Sequence, residues 1–399
     1  MKIAVIGAGY VGMATAILML QDKQNQVDLI EKDQKRRENL NDQFEPILPI
    51  VEEGMEEAYH KAFMEDRVKV LSTISSDPYD FIFVCVGTPA RESGEGLDMN
   101  PLMNALNSID GQDCPVIIKS TLNVGETRYL SGEYMDLNLV FSPEFLREGT
   151  ALKDSKNPDR IIVGTEDQET YEKILNLYKG ILTKSALKKC KFMQMSSTAA
   201  EIVKLASNSY LALRLTFFNE LSMLCESQGA EIKDVVAGVT ADPRIGNKYA
   251  DPSIGYAGPC LPKDIKSLIN TGAVMNTLKA AVQSNAYLLD YYTATIQGII
   301  HGSEFKNILF LGIAFKSYSD DIRNSRTAEL KNKLKVDGSI TVYDPRAGFN
   351  AEIEGKSFDL VILSSEEYVD MLEKINYKKV FDLKNILPKD ADALYVGRV

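Results

Sequence analysis

One cysteine of this chain stands where its sulfur could react. It lies in Gly255-Tyr256-Ala257-Gly258-Pro259-Cys260-Leu261-Pro262-Lys263-Asp264. Two glycines and two prolines there predict a rigid, irregular loop rather than a strand or a helix. A structural cysteine usually occupies an apolar run and behaves as a small hydrophobe. Cys260 instead has Lys263 three residues on, a cation that could support its thiolate, and Asp264 directly after it. An unreactive thiol in a turn is the plain alternative.

Two other sets of residues could do chemistry. Lys204 and Asn208 lie one turn apart within a stretch otherwise filled by Ile202, Val203, Leu205, Leu211 and Leu213. A lysine among such neighbours either snorkels to solvent or is held in a pocket to stabilise a developing oxyanion. Ser142-Pro143 predicts a helix start, with Ser at the N-cap and Pro at the first position. Glu144 and Glu148 then share a face, as a general base and its partner or as acids that suit a helix N-terminus. The only histidines are His60 and His301, both in polar surroundings, so neither a histidine triad nor an HExxH zinc site is expected, and no metal site is expected. Acid–base work falls to carboxylates, lysine or water.

These residues need a scaffold of more than one domain, and 399 residues are enough for two or three. A hydrophobic share of 45% and a charged share of 25% are ordinary for a globular protein. The net charge of -11 argues against general nucleic-acid or membrane-surface binding. The five cysteines show no CxxC spacing, so neither a disulfide framework nor a zinc cage is suggested. Met1 leads straight into a strand, without the form of a signal peptide, and no apolar run is long enough to span a bilayer. A reducing, cytoplasmic setting is the expectation, which keeps Cys260 a thiol.

The first element is the strand Lys2–Gly7, followed by Gly7-Ala8-Gly9-Tyr10-Val11-Gly12 and a helix from about Tyr10. A second strand, 26–30, ends at Glu31. A GxGxxG between strand and helix, with an acid closing the next strand, is the dinucleotide-binding fingerprint. Its glycines let backbone approach a pyrophosphate, and the helix N-terminus offers N–H groups and a positive dipole end. Glu31 suits a ribose 2′-hydroxyl and repels a 2′-phosphate, so NAD is expected over NADP; Lys32 and Lys35 soften that preference. Further buried strands, 81–86, 116–119 and 139–141, run into Thr88, Thr121 and Glu144, which collect at the rim where parallel sheets bind ligands.

Thr198-Ala-Ala-Glu201 reads as a capping box opening a helix that lasts until Gly229. At about 30 residues it is roughly 45 Å long, enough to join two domains and to form a subunit contact. Asp242-Pro-Arg-Ile-Gly246 reads as a binding loop, and 273–300 as helical. A second α/β alternation follows: strand 306–314, helix 327–335, then strands 339–343, 359–363 and 380–383. Lys316, Arg323 and Arg326 supply positive charge there for phosphates. The fold class is α/β: two Rossmann-like, doubly wound domains, 1–196 and 301–399, joined by a long central helix and a helical middle domain, 197–300.

Taken together, Gly7–Gly12, Gly87-Thr88-Pro89, Lys119-Ser120-Thr121 and Ser142 to Gly149 follow a family's order. So do Lys204 to Asn208, Phe218-Asn219-Glu220, Asp242 to Gly246, Gly255 to Asp264, and Phe315-Lys316 with Arg323. Over nearly its whole length the chain resembles the UDP-glucose/GDP-mannose dehydrogenase family, which oxidises a nucleotide-sugar alcohol to a carboxylate with two NAD. The resemblance implies that the sugar alcohol becomes an aldehyde, which Cys260 attacks. The thiohemiacetal becomes a thioester, and water hydrolyses it. A thiolate suits this, since it forms a hydrolysable acyl bond.

In that likeness Lys204 and Asn208 stabilise oxyanions, Asp264 and Thr121 position a water, and Glu144 is its general base with Glu148 in support. Tyr10, Val11, Glu31, Lys32, Thr88, Thr121, Glu148, Lys263 and Arg323 join the three glycines around NAD. Substrate contacts fall to Glu144, Phe145, Leu146, Lys204, Asn208, Tyr249, Ser253, Gly255, Tyr256, Gly258 and Lys316. Arg244 reaches a neighbouring subunit's sugar site, implying a homodimer built on the long helix. Ala257, Pro259 and Glu31 depart from the family's more usual residues. Asp242–Gly246 and Phe218–Glu220 look like the branch acting on UDP-glucose. GDP-mannose or UDP-N-acetylmannosamine is the alternative substrate, and a non-catalytic nucleotide-binding protein the alternative class. A 2-hydroxy-acid dehydrogenase would usually need a catalytic histidine, which neither His60 nor His301 supplies.

Overall fold

The computed structural model describes residues 1–42, 46–48, 52–91 and 96–398. The chain divides into two compact units, Met1–Ala206 and Ser207–Val399, and the division falls inside the helix Ser197–Gln228.

The first unit is built on eight strands: β1 Lys2–Ile6, β2 Gln26–Ile30, β3 Val68–Leu71, β4 Phe81–Val84, β5 Pro115–Ile118, β6 Asn138–Phe141, β7 Arg160–Gly164 and β8 Lys191–Met195. Their order is β3-β2-β1-β4-β5-β6-β7-β8. Neighbours pair in parallel except β6 and β7, which meet antiparallel at Phe141 and Gly164. The central strands are apolar throughout because both faces are covered. Val5, Leu29, Phe83 and Ile117 point into one core with the helix Tyr10–Met19. Ala4, Ile82, Val84 and Ile118 point into the other with the helix Asn100–Leu106. Strand order reverses between β1 and β4, so the crevice beyond their carboxyl ends is the topological switch point.

The second unit holds six strands: β9 Asn307–Leu311, β10 Ser339–Asp344, β11 Phe349–Asn350, β12 Ser357–Leu363, β13 Asn376–Asp382 and β14 Leu394–Tyr395. Their order is β11-β10-β9-β12-β13-β14, parallel except for β10 with β11. Helices Ile232–Thr240, Leu261–Ile269, Asn276–Gly302 and Arg326–Lys333 belong to this unit. The sheet repeats a device of the first. Glu31, just past β2, accepts the Ala8 N–H at 3.1 Å. Asp344, closing β10, accepts the N–H groups of Ile313 and Ala314 at 2.8 and 3.1 Å. Each buried carboxylate fixes the turn that follows the first strand of its sheet.

Four local expectations change. No helix begins at Ser142: residues 142–147 lack regular structure, and the next helix is Ala151–Lys156. The Ser142 N–H continues the sheet ladder to Ile118 O at 3.0 Å, so the residue extends β6 instead of capping. Glu144 and Glu148 therefore do not share a helix face. The long helix is capped by Ser196, whose Oγ accepts the Ala199 N–H at 3.3 Å, and not by Thr198 with Glu201. Residues 261–264 are not loop: Leu261 starts a nine-residue helix with Pro262 in its first turn, where a missing N–H costs nothing. Strand 306–314 is cut to Asn307–Leu311, because Gly312 turns the chain at φ +91°.

Candidate active site

The dinucleotide loop assigns each glycine a different task. Gly7 has φ +99°, and a Cβ there would lie 3.0 Å from Cys85 O. A Cβ on Gly12 would lie 1.7 Å from Gly7 O, so this position must be glycine for helix and strand to approach. At Gly9 an added Cβ meets nothing within 4 Å. The open side of Gly9, at a helix N-terminus without a side-chain cap, is where a phosphate can approach backbone. Tyr10 and Val11 flank it, half-buried. Glu31 is buried, with Oε1 on the Asp33 N–H at 2.9 Å and Oε2 on Ala8; Arg36 stands 3.6 Å from Oε2. Lys32 is exposed beyond it.

Along the same rim, Thr88 Oγ1 donates to Thr121 O at 2.8 Å, and both residues are buried. Ser120 Oγ donates to Val86 O at 2.7 Å. Beyond β6, Lys204 does not snorkel. It is 3% exposed, and its Nζ donates to Glu144 O at 2.7 Å and Glu144 Oε1 at 2.6 Å. Glu144 Oε2 accepts the Leu146 N–H at 2.6 Å. Burial alone would raise the Glu144 carboxyl, but the charge and hydrogen bond of Lys204, the Leu146 N–H and the charge of Lys119 together hold it below the usual carboxylate range. Phe145 is pinned by the Arg160 guanidinium, 3.7 Å above its ring. Leu146 packs against the core, and Glu148 sits half-buried in the turn that precedes the helix Ala151–Lys156.

In the second unit, Cys260 is the one exposed cysteine of five. Burial pushes the thiol of Cys85 up to about 12 and of Cys114 up to about 11, and it also raises Cys190 and Cys225. Cys260 occupies the position before the helix Leu261–Ile269, where N–H groups and the dipole favour an anion. One turn in, Asp264 is fully buried. Asn208 Nδ2 donates to its Oδ2 at 2.5 Å and Lys263 Nζ to its Oδ1 at 2.6 Å. Lys263 is thus tied to Asp264.

The approach to Cys260 is held by Asn285, which sequence reasoning missed, together with loop residues that it named. Asn285 clamps Tyr256, accepting its N–H at 2.8 Å and donating to its carbonyl at 3.2 Å. Gly255 and Gly258 have φ of +124° and +83°; a Cβ there would strike Asn285 Oδ1 at 2.6 Å and the Phe315 ring at 2.7 Å. Asn219 Oδ1 accepts the Ser253 N–H at 2.8 Å. Tyr249 adopts φ +56°. At the carboxyl ends of β9 and β13, Lys316 lies over the Phe315 ring and Lys384 Nζ reaches Phe315 O at 3.3 Å. Burial pulls the Lys384 ammonium down to about 8 against the pull of Asp344, Asp382 and Glu366. Lys384 and Lys119, whose Nζ donates to Ser142 O at 2.9 Å, were foreseeable as cations directly after apolar strands. Arg323 and Arg244 are exposed, in two-pronged pairs with Asp321 and Asp242.

A glycine turn at the switch point of a parallel sheet, closed by a buried acid, defines the first unit as a dinucleotide-binding domain. Comparison with known proteins narrows the class. Residues 1–182 match the NAD binding domain of the UDP-glucose/GDP-mannose dehydrogenase family, and residues 198–287 match its central domain. A UDP-glucose 6-dehydrogenase of Rickettsia typhi is 32% identical over 98% of this chain and 96% of its own. The structure of a UDP-glucose dehydrogenase from Pyrobaculum islandicum superposes with a TM-score of 0.83 at 27% identity, covering 99% of this chain and 96% of that one. A UDP-D-ManNAc dehydrogenase from Pyrococcus horikoshii shares the fold, with a TM-score of 0.84 at 22% identity over 100% and 99% of the two chains. The chain belongs to the UDP-glucose/GDP-mannose dehydrogenase family, nicotinamide-dependent oxidoreductases of nucleotide sugars.

Proposed function

We propose that this protein oxidises UDP-glucose to UDP-glucuronate, with two NAD per sugar and a covalent thioester on Cys260. The observation that carries the reading is the placement of Cys260, the only exposed thiol, at a helix N-terminus whose first turn buries Asp264 against Asn208 and Lys263. NAD, when bound at the loop Gly7–Gly12, supplies the acceptor for the hydrides that leave the sugar C6. The open side of Gly9 admits its phosphates, Tyr10, Val11, Lys32, Thr88, Thr121, Glu148, Lys263 and Arg323 complete its contacts, and Glu31 disfavours a 2′-phosphate.

The chain's own residues do the rest. The Cys260 thiolate adds to the C6 aldehyde, forming the carbon–sulfur bond that water later breaks to give the acid and return the thiol. Lys204 and Asn208 stabilise the oxyanions of both steps. Glu144, kept ionised by Lys204, accepts a proton from the hydrolytic water, with Glu148 in support, and Thr121 and Asp264 hold that water. Phe145, Leu146, Tyr249, Ser253, Gly255, Tyr256, Gly258 and Lys316 shape the nucleotide-sugar site. UDP-glucose is preferred over UDP-D-ManNAc because relatives at about 32% identity carry that name. We infer a cytoplasmic homodimer. Tyr210, Phe217 and Leu224, seven residues apart on the long helix, are 62%, 53% and 54% exposed, and a second copy would cover that stripe. Arg244 then serves the partner's site.

The test is NADH released per UDP-glucose consumed, with sugar limiting and NAD in excess. Two NADH per sugar support the four-electron reaction. One would leave a plain alcohol dehydrogenase. None, with GDP-mannose or UDP-N-acetylmannosamine turned over instead, replaces the substrate and keeps the chemistry.

A further inference from the structure

Glu201 is fully buried, yet the reaction just described makes no use of it. Its carboxylate leaves its own helix. Oε2 accepts the Gly125 N–H at 2.6 Å, and Oε1 accepts both the N–H and the hydroxyl of Thr127, at 2.7 and 2.6 Å. It thereby satisfies the N-terminus of the helix Glu126–Glu133, which has no side-chain cap of its own. Gly125 closes the loop that leaves β5 and carries Thr121. The upstream end of that loop is tied to the last residue of β4 and the segment after it, through Ser120 with Val84 and Val86 and Thr88 with Thr121. Its downstream end is tied to Glu201. Three residues further along the same helix, Lys204 holds Glu144 at the end of β6. Two buried charges of opposite sign on one helix therefore fix two strand-end loops.

We propose that Glu201 is a positioning residue for the reaction: by bracing the far end of the Thr121 loop against the long helix, it sets Thr121 in register with Lys204. The inference rests on the reading that Thr121 takes part in turnover. Misplacing a group by an ångström costs about a hundredfold in rate, and a brace one loop away transmits part of that.

The experiment is a double-mutant cycle with Glu201→Gln and Thr121→Ala on the nucleotide sugar that the wild type turns over. Glutamine puts an NH2 against a backbone donor, so one of the bonds is lost. Glu201→Gln alone is expected to lower kcat by roughly 10- to 100-fold while KM for the nucleotide sugar stays within about threefold. In the Thr121→Ala background the same change should cost less than about twofold, because its effect passes through Thr121. Independent, multiplying losses, or a wild-type kcat in Glu201→Gln, overturn the proposal. Should Glu201→Gln fail to fold, Thr127→Val, which removes only the hydroxyl bond, takes its place in the cycle with the same criteria. If the wild type turns over no nucleotide sugar, the functional reading has failed and amide exchange decides the brace. Faster exchange at Gly125 and Thr127 in Glu201→Gln, with β4 and β5 unchanged, upholds it, and unchanged exchange overturns it.

Discussion

Lys204 and Glu144 depend on each other more than either depends on solvent. Lys204→Met leaves a buried carboxylate without its cation, which should cost about 3–5 kcal/mol, whereas adding Glu144→Gln should recover most of that loss. Urea unfolding of both single variants and the double variant measures it. The pair also sets an acid dependence. Because the Glu144 carboxyl is lowered in the folded state, its contribution is present above the ordinary value of 4.5 and is lost as pH falls through the folded value. Wild-type stability should therefore drop more steeply than that of Glu144→Gln below about pH 4.5. Lys384 has the opposite slope. Its ammonium is pulled from 10.5 to about 8 by burial, so between those values the unfolded chain binds more protons and stability rises with pH. Lys384→Met should abolish that rise. The buried thiols, among them Cys85 and Cys114 raised to about 12 and 11, and above about 10 tyrosines such as Tyr256, pushed up to about 12, contribute with the reverse sign in both proteins. The readout is therefore the difference in stability between wild type and Lys384→Met, which should grow from about pH 8 to 10.

The glycine turn separates an element's folding need from its binding need. Gly12→Ala drives a Cβ into Gly7 O at 1.7 Å and should unfold the β1–helix junction, with a melting temperature lower by 10 °C or more on the scale of about 2–4 °C per kcal/mol. Gly9→Ala adds a methyl that meets no protein atom. The melt should stay within about 2 °C of wild type while KM for NAD rises at least about tenfold, because the methyl occupies the phosphate's approach. An unchanged KM would place the dinucleotide elsewhere. The spacing of Gly7, Gly9 and Gly12 was legible because backbone sterics leave few alternatives at a strand–turn–helix. Strands β1, β4 and β5 were legible too, since double-sided burial forces apolar runs there, whereas the edge strands β3 and β8, exposed at part of their length, were not read. Ser142-Pro143 misled because a cap signature is local, while the ladder bond from Ser142 to Ile118 O is not. Glu201 misled similarly: its partners Gly125 and Thr127 lie more than seventy residues away, so no window around Thr198 contains them. The exposure of Cys260 was legible from its place outside any apolar run, yet its helix was not, because glycines and prolines before residue 263 suggest only loop.

For the whole molecule, the exposed stripe Tyr210, Phe217 and Leu224 and the extended Arg244 bear on the same question of assembly. An apolar stripe along one helix face is expensive to leave in water, and a twofold partner presenting the same stripe would bury it. Phe217→Glu should then shift the protein from dimer to monomer in light scattering, with each monomer still folded by circular dichroism. Arg244 supplies the sharper test. Its guanidinium pairs with Asp242, and its side chain is 88% exposed, a geometry suited to a group that acts on a neighbour. Cys260→Ser should stall after the first oxidation, and Arg244→Ala should weaken sugar binding; alone, each homodimer is defective at both sites. Mixed dimers behave differently if Arg244 crosses. One site then carries both defects and the other carries neither, so equal mixing and refolding should restore about a quarter of wild-type turnover, half the dimers being mixed and each having one intact site. If Arg244 serves its own chain, every site in the mixture keeps one defect and no activity returns.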